Sequence, residues 1–412
     1  MTAEIAVIGA GTMGSGIAQL ALEHGHRVRL VDIDSAATLS SRSAIRERLA
    51  RRLARRGVTG AELEEALETT LERLVLGATP DEAGGAGVVI EAVIEDIEAK
   101  RALFARLDEV CAGEAMLATN TSALSIGAIA AAARVHPERV VGLHFFNPAP
   151  VMPLVEVVAG ASTSPAVVEA AAGLVEGWGR SPIRCADRPG FVVNRVNRPF
   201  TIQALRCLEA GESTIGAIDA AARDLGFPLG PFELMDLVGI DVNLAAATGV
   251  WEGFERAPRF RPSPIQAALV ASGRLGRKSG EGFYRYDPSG LQLGPGPDFD
   301  GPATTSGAAA DGAAAAIAGR IRLAIANEAY RALDERVVAD EATIDLALTL
   351  GANHPEGPFA WARGRGLAVV LAGLESFIAT EPEAFTPAAG LVAAIGRSER
   401  ASDQSAIDLR SS

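Results

Sequence analysis

Residues 4–32 read EIAVIGAGTMGSGIAQLALEHGHRVRLVD, and the fold is decided there. Glu4 to Ile8 forms an apolar strand. Gly9-Ala10-Gly11-Thr12-Met13-Gly14 follows at once and opens a helix over Ser15 to His24, with Ile17, Leu20 and Ala21 on one face. The spacing G-x-G-x-x-G between a strand and a helix permits a tight turn and brings a pyrophosphate close to the helix N-terminus. Arg27 to Val31 supplies a second strand, and Asp32 ends it where an acid receives an adenosine ribose. Ile33 follows, not arginine. A 2'-phosphate would meet a carboxylate there with no cation beside it, so the pattern points to NAD rather than NADP.

The composition narrows the partners. At 412 residues and 48% apolar content the chain can bury two or three cores. A net charge of -13 argues against nucleic acid, which needs a basic face. Cys111, Cys185 and Cys207 show no metal or redox spacing, which fits a reducing compartment and predicts no metal site. The apolar run Ile5 to Leu22 lacks a basic leader and is broken by glycines, and no other run is long enough to span a bilayer, so a cytoplasmic protein with no membrane partner is expected. Only Lys100 and Lys278 are lysines among 38 basic residues, and an ammonium kept so sparingly suggests a point-charge role.

Further along, Ser35 to Thr79 holds two helical segments separated by Gly57-Val58-Thr59-Gly60. The first carries Arg42, Arg46, Arg48, Arg51, Arg52, Arg55 and Arg56 against the single acid Glu47, a cluster able to hold a polyanionic handle such as the phosphates of coenzyme A. A solvated face paired with the Glu-rich second segment is the alternative. Val88 to Val93 is a buried-type strand, with Glu95 and Lys100 just past its carboxyl end. Met116 to Ala118 ends in Thr119-Asn120-Thr121-Ser122, where Ser122 is either a ligand-binding hydroxyl or a helix N-cap. Val140 to Leu143 delivers His144, and Leu154 to Val158 carries Glu156. A lone histidine at a strand end and a lone carboxylate within a strand are explained by each other, because buried ionisable groups need partners. Such a pair suits proton transfer; a core histidine satisfied by backbone is the other reading.

GAGTMGSGIA, EAVIEDIEAK, ATNTSALSI, GLHFFNP, MPLVEVV, RPGFVVNRV, FPLGPFELMDLVG and GRKSGEGFY together resemble, in order, the motifs of the 3-hydroxyacyl-CoA dehydrogenase family over about Met1 to Tyr286. The resemblance implies that His144 and Glu156 form the catalytic pair, and that Ser122 and Asn194 contact substrate or the nicotinamide region. It also implies that Gly9, Gly11, Thr12, Met13, Gly14, Asp32, Glu95, Lys100, Asn147 and Lys278 serve NAD. Two features depart from the family: Asp96 replaces a commoner Asn, and its CoA-contacting lysine has no Lys counterpart, leaving Arg51, Arg52, Arg55 and Arg56 as candidates for CoA.

The second half reads as helical. Cys185 to Gly190 is a Pro-Gly hinge, and Phe191 to Gly211 a long helix bearing Asn194. Ala204, Leu208, Ile218-Asp219 and Gly230-Pro231-Phe232 are echoed by Ala329, Leu333, Ile344-Asp345 and Gly357-Pro358-Phe359, an internal repeat. The expected architecture is an α/β Rossmann-type N-terminal domain at 1–186, with a helical insertion at about 36–78, followed by an all-α domain at 187–286. A linker at 287–312 leads to a degenerate second copy of that helical domain at 313–400 and a tail at 401–412. The resemblance implies an oxidoreductase of fatty-acid metabolism and β-oxidation, oxidising (S)-3-hydroxyacyl-CoA with NAD, on short-chain or dicarboxylic acyl-CoA. The chain would be a monomer with an internal pseudo-dimer, or a homodimer. Rival readings keep the fold but use a carrier-bound hydroxyacyl group or a free hydroxy acid such as gulonate, or make the chain a non-catalytic dinucleotide-binding protein.

Overall fold

The computed structural model describes residues 4–299 and 308–397, with side chains omitted at 308–311. The chain divides into two units, Met1–Phe191 and Val192–Ser412. The first is built on an eight-stranded sheet of β1 (Ile5–Ile8), β2 (Val28–Val31), β3 (Leu74–Gly77), β4 (Val88–Glu91), β5 (Met116–Thr119), β6 (Val140–Phe145), β7 (Leu154–Ala159) and β8 (Ser181–Ala186). Its order is β3-β2-β1-β4-β5-β6-β7-β8, and every pair is parallel except β6 with β7. The strands are almost wholly apolar because helices cover them: α1 (Thr12–Glu23), α2 (Ser35–Ala54), α3 (Gly60–Leu71), α4 (Ile97–Val110), α5 (Ile126–Ala130) and α6 (Pro165–Gly177). Strand order reverses between β1 and β4, so the carboxyl ends of these two strands frame the ligand crevice of a doubly wound sheet.

Two strands depart from the sequence reading. The 36–78 segment, expected to be wholly helical, ends in β3, which pairs with β2 at the sheet edge. Cys185 and Ala186, expected in a hinge, are the last residues of β8. Both are edge strands; β3 ends in Gly77, and β8 opens with Ser181-Pro182 and exposes Arg184, so neither reads as an uninterrupted apolar strand.

The second unit is helical: α7 (Val193–Val196), α8 (Arg198–Glu209), α9 (Ile215–Asp224), α10 (Pro231–Val238), α11 (Ile240–Gly253), α12 (Pro264–Ala271), α13 (Ala308–Asp334), α14 (Glu341–Gly351), α15 (Pro358–Arg365) and α16 (Leu367–Glu375). The long helix expected over 191–211 is divided into α7 and α8 because Pro199 has no N–H to return to the Arg195 carbonyl. The linker expected at 287–312 is in part ordered structure. β10 (Gln292–Pro295) pairs antiparallel with β9 (Tyr284–Tyr286), and α13 begins before 312. Residues 300–307 and the expected tail at 401–412 lie outside the described residues.

The repeated motif has a physical purpose. Asp219 accepts the amides of Phe232 (3.0 Å) and Glu233 (3.2 Å), capping α10. Its counterpart Asp345 accepts those of Phe359 (2.8 Å) and Ala360 (3.0 Å), capping α15. A Cβ on Gly230 would sit 2.3 Å from Asp219, and one on Gly357 2.1 Å from Asp345, so each glycine is what lets the acid reach the helix end. The two copies also meet reciprocally. Arg195 bonds Glu328 (2.7 Å) while its counterpart Arg320 bonds Gln203 (3.0 Å), the counterpart of Glu328. His354 Nε2 donates to Asn197 (2.8 Å), and Arg322 lies over Phe227, 5.0 Å from the ring centre. Such mutual pairing is the contact pattern of a two-fold interface within one chain. No single described helix is long and apolar enough to cross a membrane.

Candidate active site

The antiparallel register of β6 and β7 sets His144 directly opposite Glu156, and opposed residues on such a ladder project from one face. His144 Nδ1 lies 2.6 Å from Glu156 Oε2, with the two residues 4% and 0% exposed. An ionised carboxylate only accepts, so Nδ1 carries the proton and Nε2 presents its lone pair. Nε2 lies 3.1 Å from Ser122 Oγ, and the rings of Phe146 and Phe191 stand 4.6 and 5.8 Å from the imidazole. Two aromatic rings thus flank an imidazole whose Nε2 faces the Ser122 hydroxyl.

Ser122 is held by a carboxylate network at the carboxyl ends of β4 and β5. Glu95 Oε1 accepts the Thr121 hydroxyl (2.6 Å) and the amides of Ser122 (2.8 Å) and Ala123 (3.2 Å). Its other oxygen lies 3.3 Å from Lys100, whose buried ammonium also bonds Glu91. Glu91, fully buried, accepts the Thr119 hydroxyl (2.6 Å) and the Val93 amide (2.7 Å). Asn120 accepts the Phe145 amide (2.9 Å), tying the serine loop to the strand that carries His144. Ser122 is not a helix cap: Ser125 caps α5 through Ala128. The sequence reading passed over Glu91, although the logic applied to Glu156, a lone acid in an apolar strand, marks it equally. Asp96 caps α4 by accepting the Ala99 amide (2.8 Å).

The glycine loop fits a dinucleotide. Gly9 has φ +104°, and a Cβ there would lie 2.5 Å from the Ala92 carbonyl, while nothing stands within 4 Å of the corresponding position on Gly11. The first turn of α1, which contains Thr12, Met13 and Gly14, has neither a side-chain cap nor an acid, leaving its amides to an anion. Asp32 accepts the Ala10 amide (2.7 Å) and that of Asp34 (3.0 Å), fixing it beside the loop. Ile33 and Ile94, 90% and 72% exposed, follow β2 and β4, the strands on either side of β1, and offer apolar faces to a base.

Asn147 is exposed in the turn after β6. In the second unit, Asn194 is half-buried on α7, and Lys278 pairs with Asp241 (2.6 Å). Of the arginines assigned to CoA, Arg52 bonds Glu23. Arg51 on α2 and Arg55 and Arg56 just past its end are exposed, with no ion pair among the described residues. The alternative of pairing with the Glu-rich helix holds for Arg46, which meets Glu64 and Glu68. No group of acids, histidines and cysteines among the described residues could hold a metal.

Comparison with known proteins assigns the family. The model described as "3-hydroxyacyl-CoA dehydrogenase, NAD binding domain" matches residues 4–188, and that for the C-terminal domain matches twice, at 190–286 and 317–408. The chain is 50% identical over 283 residues to 3-hydroxyadipyl-CoA dehydrogenase of Escherichia coli, a match covering 68% of this chain and 58% of that one. It is 40% identical over 289 residues to 3-hydroxybutyryl-CoA dehydrogenase of Mycobacterium tuberculosis, covering 68% and 98%. The crystal structure of 3-hydroxybutyryl-CoA dehydrogenase from Escherichia coli K12 superposes with a TM-score of 0.82 at 37% identity, covering 96% of this chain and 98% of that one. With an NAD-binding domain matched in full and the helical domain matched twice, the chain belongs to the 3-hydroxyacyl-CoA dehydrogenase family.

Proposed function

We propose that the chain reversibly oxidises (S)-3-hydroxyacyl-CoA to 3-oxoacyl-CoA with NAD, and that His144 is the general base. The observation that carries this is the orientation of His144, with Nδ1 on Glu156 and the Nε2 lone pair facing Ser122. Nε2 takes the proton of the C3 hydroxyl, the buried carboxylate stabilises the resulting imidazolium, and Ser122 holds the substrate oxygen against the ring. The glycine loop and Asp32 would hold NAD, whose nicotinamide would supply the hydride acceptor for C3. Proton transfer to a positioned base is worth ~10²–10⁴ in rate. Asn194 is assigned to the substrate by its place in the family motif.

Arg51, Arg55 and Arg56 are proposed to hold the CoA phosphates, since each is exposed with no ion pair among the described residues. A short or dicarboxylic acyl group follows from the names of the relatives. The reciprocal contacts between the helical copies support a domain layout in which the second copy stands in for a partner subunit, giving an internal pseudo-dimer in a cytoplasmic enzyme. The test is NADH oxidation with 3-oxoacyl-CoA esters of four to eight carbons, mono- and dicarboxylic, beside a carrier-bound oxoacyl group and free hydroxy acids with NAD. Turnover of the CoA esters is expected; turnover confined to the carrier-bound or free substrates contradicts the reading.

A further inference from the structure

Lys100 is one of two lysines among the 38 basic residues of the chain, and it is buried, 1% exposed. Its ammonium donates to Glu91, itself 0% exposed, at the end of β4. A buried ion pair is a poor way to stabilise a fold, because desolvating two charges costs about as much as their attraction returns, and packed apolar residues serve as well or better. Beside a reacting group, what such a pair supplies is fixed geometry. Glu91 reaches the active-site serine by two arms, all within the first unit. Its Oε2 accepts the Thr119 hydroxyl (2.6 Å) directly across the register of β4 and β5, and the same hydroxyl oxygen accepts the Thr121 amide (3.3 Å). Its Oε1 holds Lys100, which lies 3.3 Å from Glu95 Oε2, and Glu95 Oε1 accepts the amides of Ser122 and Ala123. A third link is backbone: the Glu91 carbonyl accepts the Asn120 amide (2.8 Å), and the Asn120 side chain accepts the amide of Phe145, next to His144.

The arms converge on Thr121-Ser122, and the charges explain why both acids are needed. The Glu95 side chain is 42% exposed, whereas those of Glu91 and Lys100 are sealed from solvent. Glu91 takes up the charge of Lys100, which leaves Glu95 to hold the serine-loop amides. With Glu91 neutral, the ammonium would turn to Glu95, and attraction between unit charges is several times stronger away from bulk water. Glu95 would then be drawn off the Ser122 amide. The Ser122 hydroxyl lies 3.1 Å from His144 Nε2, already at the long end of a good hydrogen bond, so a small displacement of the loop breaks the contact.

We propose that Glu91 is a positioning residue of the active site, acting through Thr119 on one side and through Lys100 and Glu95 on the other to hold the Ser122 hydroxyl against His144 Nε2. This rests on the hydroxyacyl-CoA reading above, in which Ser122 holds the substrate oxygen. The experiment is a double-mutant cycle in kcat, Glu91→Gln against Ser122→Ala, with a 3-oxoacyl-CoA that the wild type reduces and saturating NADH. Ser122→Ala should lose ~10² in kcat. Glu91→Gln should lose ~10–10² while Ser122 is present, the cost of misplacing a reacting group by ~1 Å. Once Ser122 is alanine, Glu91→Gln should cost no more than about twofold, because the hydroxyl it positions is gone. A purely structural role would lower kcat by the same factor in both backgrounds. That result, or a Glu91→Gln kcat within about threefold of wild type, overturns the role of Glu91 and leaves the activity standing. Should Glu91→Gln not fold, Thr119→Val, which cuts one arm without stranding the Lys100 charge, is put through the same cycle and judged by the same two criteria. Ser122→Ala with wild-type kcat overturns the role of Ser122 and that of Glu91 with it; no turnover of any CoA ester by the wild type overturns the activity reading itself.

Discussion

Replacing Glu156 by glutamine keeps the volume of the side chain and removes its charge, at a position 0% exposed and 2.6 Å from His144 Nδ1. The carboxylate acts twice on the imidazole. In the ground state it holds the Nδ1–H tautomer; as His144 takes the substrate proton, it faces the new positive charge. Two unit charges ~4 Å apart at an effective dielectric of ~20 attract by about 4 kcal/mol. Since ~1.4 kcal/mol is tenfold in rate, the neutral amide should lower kcat by about 10²–10³. If the glutamine turns its NH2 toward Nδ1, the ring proton moves to Nε2 and the basic lone pair is lost, which pushes the effect to the upper end. NADH binding, proposed to rest on the glycine loop and Asp32, should stay within about twofold, and KM should change little, the pattern of an interaction made mainly in the transition state. Steady-state NADH oxidation with 3-oxoacyl-CoA, paired with NADH fluorescence titration, reads both quantities. A kcat within about threefold of wild type would refute the tautomer and charge argument.

Further predictions concern the helical copies. Gly357→Ala places a Cβ 2.1 Å from Asp345, so overpacking and loss of the cap on α15 should cost ~2–4 kcal/mol in urea unfolding. Gly216→Ala, with nothing within 4 Å, should be neutral or stabilising. Burial pushes the Asp219 carboxyl up to about 7 in spite of its bonds to Tyr284 and the α10 amides. A raised acid pKa means the folded state holds the proton more tightly. Its stabilising contribution is complete below the unfolded pKa of ~4 and is lost as pH rises toward 7, a few kcal/mol at most. Denaturation midpoints between pH 4 and 7 should therefore fall more steeply for wild type than for Asp219→Asn; parallel curves would contradict this.

Much of the site was legible because its chemistry is local to strand ends. The glycine loop and Asp32 are fixed by spacing alone, and His144 and Glu156 each stand out as the lone ionisable group in an apolar strand. What the sequence lacked was register. Nothing in the order of residues says that β6 and β7 are antiparallel, and only that makes the two residues direct partners. Glu95 was placed at the ligand edge, but its three bonds into the serine loop depend on β4 and β5 being neighbours. That Arg52 meets Glu23 depends on α2 packing against α1, which the order of residues does not show.

The central claim is that His144 Nε2 removes the substrate proton. His144→Gln, assayed for kcat on an (S)-3-hydroxyacyl-CoA with NAD and titrated with NADH, tests it most directly. The account predicts a loss of ~10²–10⁴ in kcat with NADH affinity preserved. Turnover near the wild-type level in a variant that binds NADH normally would contradict it.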